Sequence, residues 1–208
     1  METGESAKSA RRAPPIDEGR PGGGATARRG RRDARPIAEE TVMAAVYVDL
    51  GSIGSKWPTA CRTAVAHLNQ LFTQNSIGVS LALIGKGGPR IAVRTDPSIT
   101  GTFHGHTRTE TTSGQLLSAV VSLPVKATIN TPQGVREAGA GVLEVIVAHE
   151  FVHALGQVEH SASHLMCSPM TPVPGNSPAG DLLQANGVNL PPIVLAPDTI
   201  QLLQSLWP

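Results

Sequence analysis

The chain has 208 residues, 40% of them apolar, with 22 Gly, 17 Pro and few aromatic side chains. That length suits one domain, whose core must be built from Val, Leu, Ile and Ala. A formal net charge of +1 argues against broad capture of nucleic acid, two cysteines cannot make a disulfide scaffold, and the lack of an 18-residue apolar run excludes a spanning helix.

Residues 1–40 hold 9 of the 17 Lys and Arg and 7 of the 16 Asp and Glu, in a stretch with almost no large hydrophobes. Such a segment cannot bury enough surface to offset chain entropy. Residues 1–41 are therefore expected to be a disordered, Arg/Gly/Pro-rich leader, with order beginning near Met43. No secretory signal is recognisable, because Glu39 and Glu40 interrupt the apolar run that would follow the arginines. As written, the chain is expected to be cytoplasmic and monomeric, with neither a nucleic acid nor a membrane as partner.

From residue 42 the pattern becomes regular. "VMAAVYVDL" (42–50) predicts a buried strand closed by Gly51, and "WPTACRTAVAHLNQLFTQ" (57–74) a helix with Pro58 in its first turn. "IGVSLALIG" (77–85) and "RIAVRT" (90–95) predict strands, and 96–114 reads as loop. "QLLSAVVSL" (115–123) predicts a further strand. "GVLEVIVAHEFVHALG" (141–156) predicts a buried helix ended by Gly156, and "DTIQLLQSLW" (198–207) a closing helix. The alternation implies an α/β (α+β) domain over 42–208, with a twisted, mostly parallel sheet and helices packed on it.

The chemistry concentrates at residues 147–170, where H-E-x-x-H occurs as His149, Glu150 and His153. Four residues advance a helix by about 400°, so both imidazoles project from one face and can grip one metal ion. Glu150 lies about 100° round the wheel from His149, beside the ion and within reach of a water on it. From this chain's own composition the motif is expected roughly 0.01 times by chance, and its place on a predicted helix sharpens it further.

The segment resembles the metzincins, zinc endopeptidases of the matrixin type. "HEFVHALG" matches the start of the family's HExxHxxGxxH at His149, Glu150, His153 and Gly156, "HLMCSP" is similar to its Met-turn with Met166 as the turn methionine, and "DTIQLLQSLWP" is similar to its closing helix. The likeness is good over 142–208, and over 42–141 it extends only to the order of elements. It implies an upper subdomain at 42–156, a lower one at 157–208, and one catalytic Zn²⁺ held by three histidines. It also implies Glu150 as general base and a peptide or protein substrate lying along an edge strand, for which 115–123 is the candidate. "SPMTPVPG" (168–175) would wall the S1′ pocket and "LPPIVLAP" (190–197) line its base.

One departure stands out. The family's third histidine falls at Glu159 here, and His160 comes one place later. His160 is the favoured third ligand, Glu159 the alternative, and His164 a weaker one. Gly156 can adopt a left-handed conformation and turn the chain back to the ion. Three protein ligands leave a fourth position open, the pattern of a catalytic zinc. Met166 reads equally as a floor beneath the ligands or as core. His104 and His106 read as solvated loop residues or a second metal site, His67 as structural, and Cys61 and Cys167 as buried thiols or a disulfide pair. The competing functions are a non-catalytic module on the same fold and a zinc hydrolase of a non-protein amide such as a peptidoglycan stem peptide.

Overall fold

The computed structural model describes residues 43–54, 56–83, 85–100, 105–131, 134–161, 164–167 and 193–208, all within one compact unit. The predicted leader, the S1′ wall at 168–175 and His104 lie outside the described residues.

Among the described residues the elements are β1 (Ala44–Asp49), α1 (Trp57–Gln74), β2 (Val79–Ala82), β3 (Arg90–Asp96), β4 (His106–Thr112), β5 (Gln115–Pro124), β6 (Thr128–Thr131), β7 (Gly134–Glu137), α2 (Ala140–Ala154), one 3₁₀ turn (His164–Met166) and α3 (Pro197–Leu206). Five strands form a mixed sheet in the order β2-β1-β3-β5-β4, in which only β4 runs antiparallel to its neighbour. β6 and β7 form a separate hairpin that the sequence pattern did not indicate.

Alternation explains the strands. Val46 and Val48 of β1, Ile91 and Val93 of β3, and Ala119, Val121 and Leu123 of β5 are all buried in the core. The intervening residues turn to the other face. α1 is amphipathic, with Trp57, Ala60, Cys61, Ala64, Val65, Leu68, Leu71 and Phe72 recurring at three- and four-residue steps on its buried side. α2 is different: nearly every residue from Val142 to Ala154 is buried. A helix apolar on all sides must lie inside the molecule.

Side chains then lock the layers together. The Trp57 Nε1–H donates to the Pro124 carbonyl at 2.9 Å, tying the start of α1 to the end of β5. Asn69 on α1 brackets Leu81, donating to its carbonyl and accepting from its N–H, both at 2.8 Å. That bracket occupies backbone groups on the outer side of β2, one edge of the sheet, where a bare strand would invite pairing.

Two sequence expectations are corrected. The predicted loop at 96–114 contains β4, whose "HTRTETT" carries no apolar residue because its side chains are mostly exposed. Its turn has a clear origin: Ser113 and Gly114 have φ of +52° and +79° between the paired Thr112 and Gln115. Two consecutive residues at positive φ are the geometry of a tight hairpin turn, matched to the twist of the strands. In consequence β5, the candidate edge strand at 115–123, lies inside the sheet between β3 and β4, and β4 takes the edge.

Candidate metal centre

His149, Glu150 and His153 sit on α2, where His149 and Glu150 are buried and His153 half-buried. The helix ends in a Schellman turn. The Gly156 N–H donates to the His153 carbonyl at 3.0 Å and the Gln157 N–H to the Val152 carbonyl at 3.3 Å, with Gly156 at φ +116°. This pairing satisfies helix-end carbonyls while reversing the chain. The Trp207 Nε1–H after α3 donates to the Leu155 carbonyl at 3.0 Å, pinning the same corner from outside.

The reversal brings His160 back over the helix. The Nε2 atoms of His149 and His153 lie 3.1 Å apart, and each is 3.3 Å from the Nε2 of His160. Among the described residues this is the group of ligand atoms gathered closely enough to hold a metal. Glu159 and His164 are not part of it: Glu159 is exposed, and its carbonyl accepts from the Gln157 side chain at 3.1 Å. His164 opens the 3₁₀ turn at φ +63°.

The other ring nitrogens show what these imidazoles can do. His149 Nδ1 lies 2.7 Å from the Leu165 carbonyl, and His153 Nδ1 lies 2.5 Å from that of Gln157. A carbonyl can only accept, so each Nδ1 carries the hydrogen and each neutral ring turns a lone pair outward at Nε2. Lone pairs crowded at this separation repel unless a cation lies between them. A tetrahedral zinc with Zn–N bonds of about 2.05 Å sets its ligand nitrogens about 3.3 Å apart. The observed triangle matches that edge length. Burial lowers the pKa of His153, opposed by the Gln157 carbonyl, and so favours the neutral imidazole that a metal requires.

Glu150 stands next to this triangle in the chain and takes its setting from the sheet. Its Oε2 accepts from the Thr107 hydroxyl at 2.6 Å. Burial pushes the carboxyl up to about 7, and the Thr107 hydrogen bond acts against that rise. Gly105, just before β4, approaches so closely that a Cβ there would stand 2.7 Å from Glu150 Oε1. Sequence reasoning missed Thr107, Gly105 and the Leu165 carbonyl. The Ser-Gly pair after a Thr-rich alternating run was the available signal for β4, but nothing local links that strand to Glu150.

The remaining candidates have ordinary places. Met166 is buried in the 3₁₀ turn, and its carbonyl accepts from the Ser161 N–H at 2.8 Å, tying the residue after His160 to that turn. His106 is exposed at the start of β4. His67 Nδ1 lies 3.3 Å from Glu144 Oε1, joining α1 to α2. Cys61 and Cys167 are free thiols, both buried. Ile193 and Leu195, from the predicted pocket base, are buried in the core.

No helix among the described residues is long and apolar enough to cross a membrane. Compared with known proteins, the chain matches no protein-family model and no curated protein.

Proposed function

We propose that this protein is a zinc-dependent endopeptidase of metzincin type, with Glu150 as general base. The observation that carries the proposal is the triangle of three outward-facing Nε2 atoms, 3.1–3.3 Å on a side, with a buried carboxylate on the adjoining residue. His149, His153 and His160 would hold the ion. Zinc in such a site supplies Lewis acidity toward an amide carbonyl and makes water nucleophilic near neutral pH.

The chain's own groups do the rest. The Leu165 and Gln157 carbonyls hold the rings of His149 and His153 in one tautomer and orientation. Glu150 accepts a proton from the attacking water, holds it on the carboxylate and returns it to the leaving amine. Burial acts to raise the pKa of this carboxyl, which makes its carboxylate a stronger base than an exposed one. Choice of a peptide substrate is supported by β4. It forms the sheet edge beside Glu150, and an extended peptide can pair with the backbone groups along such an edge.

The test combines metal analysis with hydrolysis of a fluorescein-labelled unfolded protein. About one zinc per chain is expected, with activity lost on chelation and restored by zinc. Glu150→Gln keeps the metal and lowers turnover on the order of 10²–10⁴-fold. Zinc bound without hydrolysis of the labelled protein or of peptidoglycan fragments would make the domain a non-catalytic module. Cleavage of the fragments alone would assign the non-protein amide reaction.

A further inference from the structure

We infer that Thr107 is a positioning residue for Glu150: the β4 hydroxyl takes one carboxylate oxygen and thereby sets how the other is presented beside the three histidines. The inference rests on the role proposed above for Glu150.

Three observations carry it. The Thr107 hydroxyl lies 2.6 Å from Glu150 Oε2 and 3.1 Å from the Glu150 backbone carbonyl. A hydroxyl has one proton to give, and the shorter contact is the charge-assisted one. The donor is itself held firmly. Thr107 pairs with Val121 in the β4–β5 ladder, and its branched Cβ restricts rotation about χ1. Glutamate, by contrast, has three rotatable bonds, and among the described residues the hydrogen bond that holds the Glu150 carboxylate is the one from Thr107. Finally, the strand is shaped to the carboxylate on its second side. The space a Cβ on Gly105 would occupy comes within 2.7 Å of Oε1 and within 2.9 Å of the carboxyl carbon. Gly105 has no positive φ that would demand glycine, and what a Cβ there would meet is the Glu150 side chain as it stands. Two residues of one strand segment thus bound the same functional group, one by a hydrogen bond and one by leaving room.

A purely architectural threonine would act differently. Bonded only to the helix carbonyl, it would join β4 to α2, and its loss would lower stability without a selective effect on turnover. The two roles separate with Thr107→Val, which keeps shape and strand preference and removes the hydroxyl, and Thr107→Ser, which restores it. On the fluorescein-labelled unfolded protein, Thr107→Val is expected to lower kcat about 10–100-fold with KM within about twofold and zinc content unchanged. Thr107→Ser should recover most of the loss. Gly105→Ala should lower kcat in the same way by displacing the carboxylate from its other side.

Crystal structures of Thr107→Val and Thr107→Ser supply a readout that needs no turnover. The Glu150 carboxylate should leave its place in the first and keep it in the second. If Thr107→Val retains wild-type kcat while Glu150→Gln is inactive, the assignment of Thr107 fails and the peptidase reading stands. If the wild-type protein does not turn over, that reading fails, and the crystal structures alone judge Thr107. A carboxylate unmoved in both variants overturns the proposal.

Discussion

The two walls of the candidate site are built on opposite principles. The α2 wall is local: His149, His153 and His160 lie within twelve residues, brought together by one helical turn and one Schellman reversal. The β4 wall is remote. Thr107 stands 43 positions before Glu150 and reaches it only because the sheet places β4 at its edge beside the helix. The histidine cluster is therefore a property of a short peptide segment, whereas the setting of Glu150 is a property of the fold. Damage to the first wall should appear as lost metal. Damage to the second should appear as lost turnover with metal retained.

The largest expected effect tests the local wall. His160→Ala should lower zinc affinity sharply and abolish activity, whereas Glu159→Ala should keep zinc and reduce activity at most about 10–100-fold. Zinc stoichiometry of the two purified variants decides it, and metal lost from Glu159→Ala but kept in His160→Ala would reverse the ligand assignment.

Gly156→Ala strikes the reversal itself. Alanine at φ +116° is strained, and its Cβ would stand 2.8 Å from the Leu206 side chain. A loss of about 1–3 kcal/mol in stability is expected, together with weaker zinc binding. Thermal melts with and without added zinc, alongside a competition titration with a chelator, measure both.

The remote wall can be loosened without touching the site. Gly114 closes the β4–β5 turn at φ +79°, and a Cβ there would meet nothing within 4 Å. Gly114→Ala therefore isolates backbone strain, worth about 1 kcal/mol. The melting temperature should fall by a few degrees, zinc should remain stoichiometric and turnover should drop only a few-fold. Zinc loss in this variant would mean that the two walls are not separable.

The smallest effect concerns Cys61, buried in α1. Burial pushes its thiol up to about 12. The folded state thus holds that proton more tightly than the unfolded chain, whose thiol titrates near about 8.5. This contribution to stability is complete below the unfolded pKa and declines as pH rises toward 12. Cys61 should resist alkylation at pH 8 in the folded protein and react once the protein is unfolded, read by mass spectrometry.

Legibility in the sequence followed the range of the interactions. The bounds of α1 agree with its apolar stripe and Pro58, because an amphipathic helix writes its period into adjacent residues. β1, β3 and β5 were legible from their apolar residues, though the strand expected at 77–85 is shorter, at Val79–Ala82. β4 was not legible as a strand, because an edge strand with exposed side chains carries no hydrophobic signal.

The spacing of His149, Glu150 and His153, the glycine that ends their helix and the nearness of another histidine are determined by the sequence alone, since a helix and its cap are set by neighbours a few residues apart. The sequence favoured His160 over Glu159 and His164 as the third member, and the folded chain clusters His160 with His149 and His153. Tertiary structure alone decided which strand forms the edge, which carbonyls pin the imidazoles and which hydroxyl meets Glu150. Each of these joins groups far apart in the chain, and strand pairing and burial determine such contacts only when the whole core assembles.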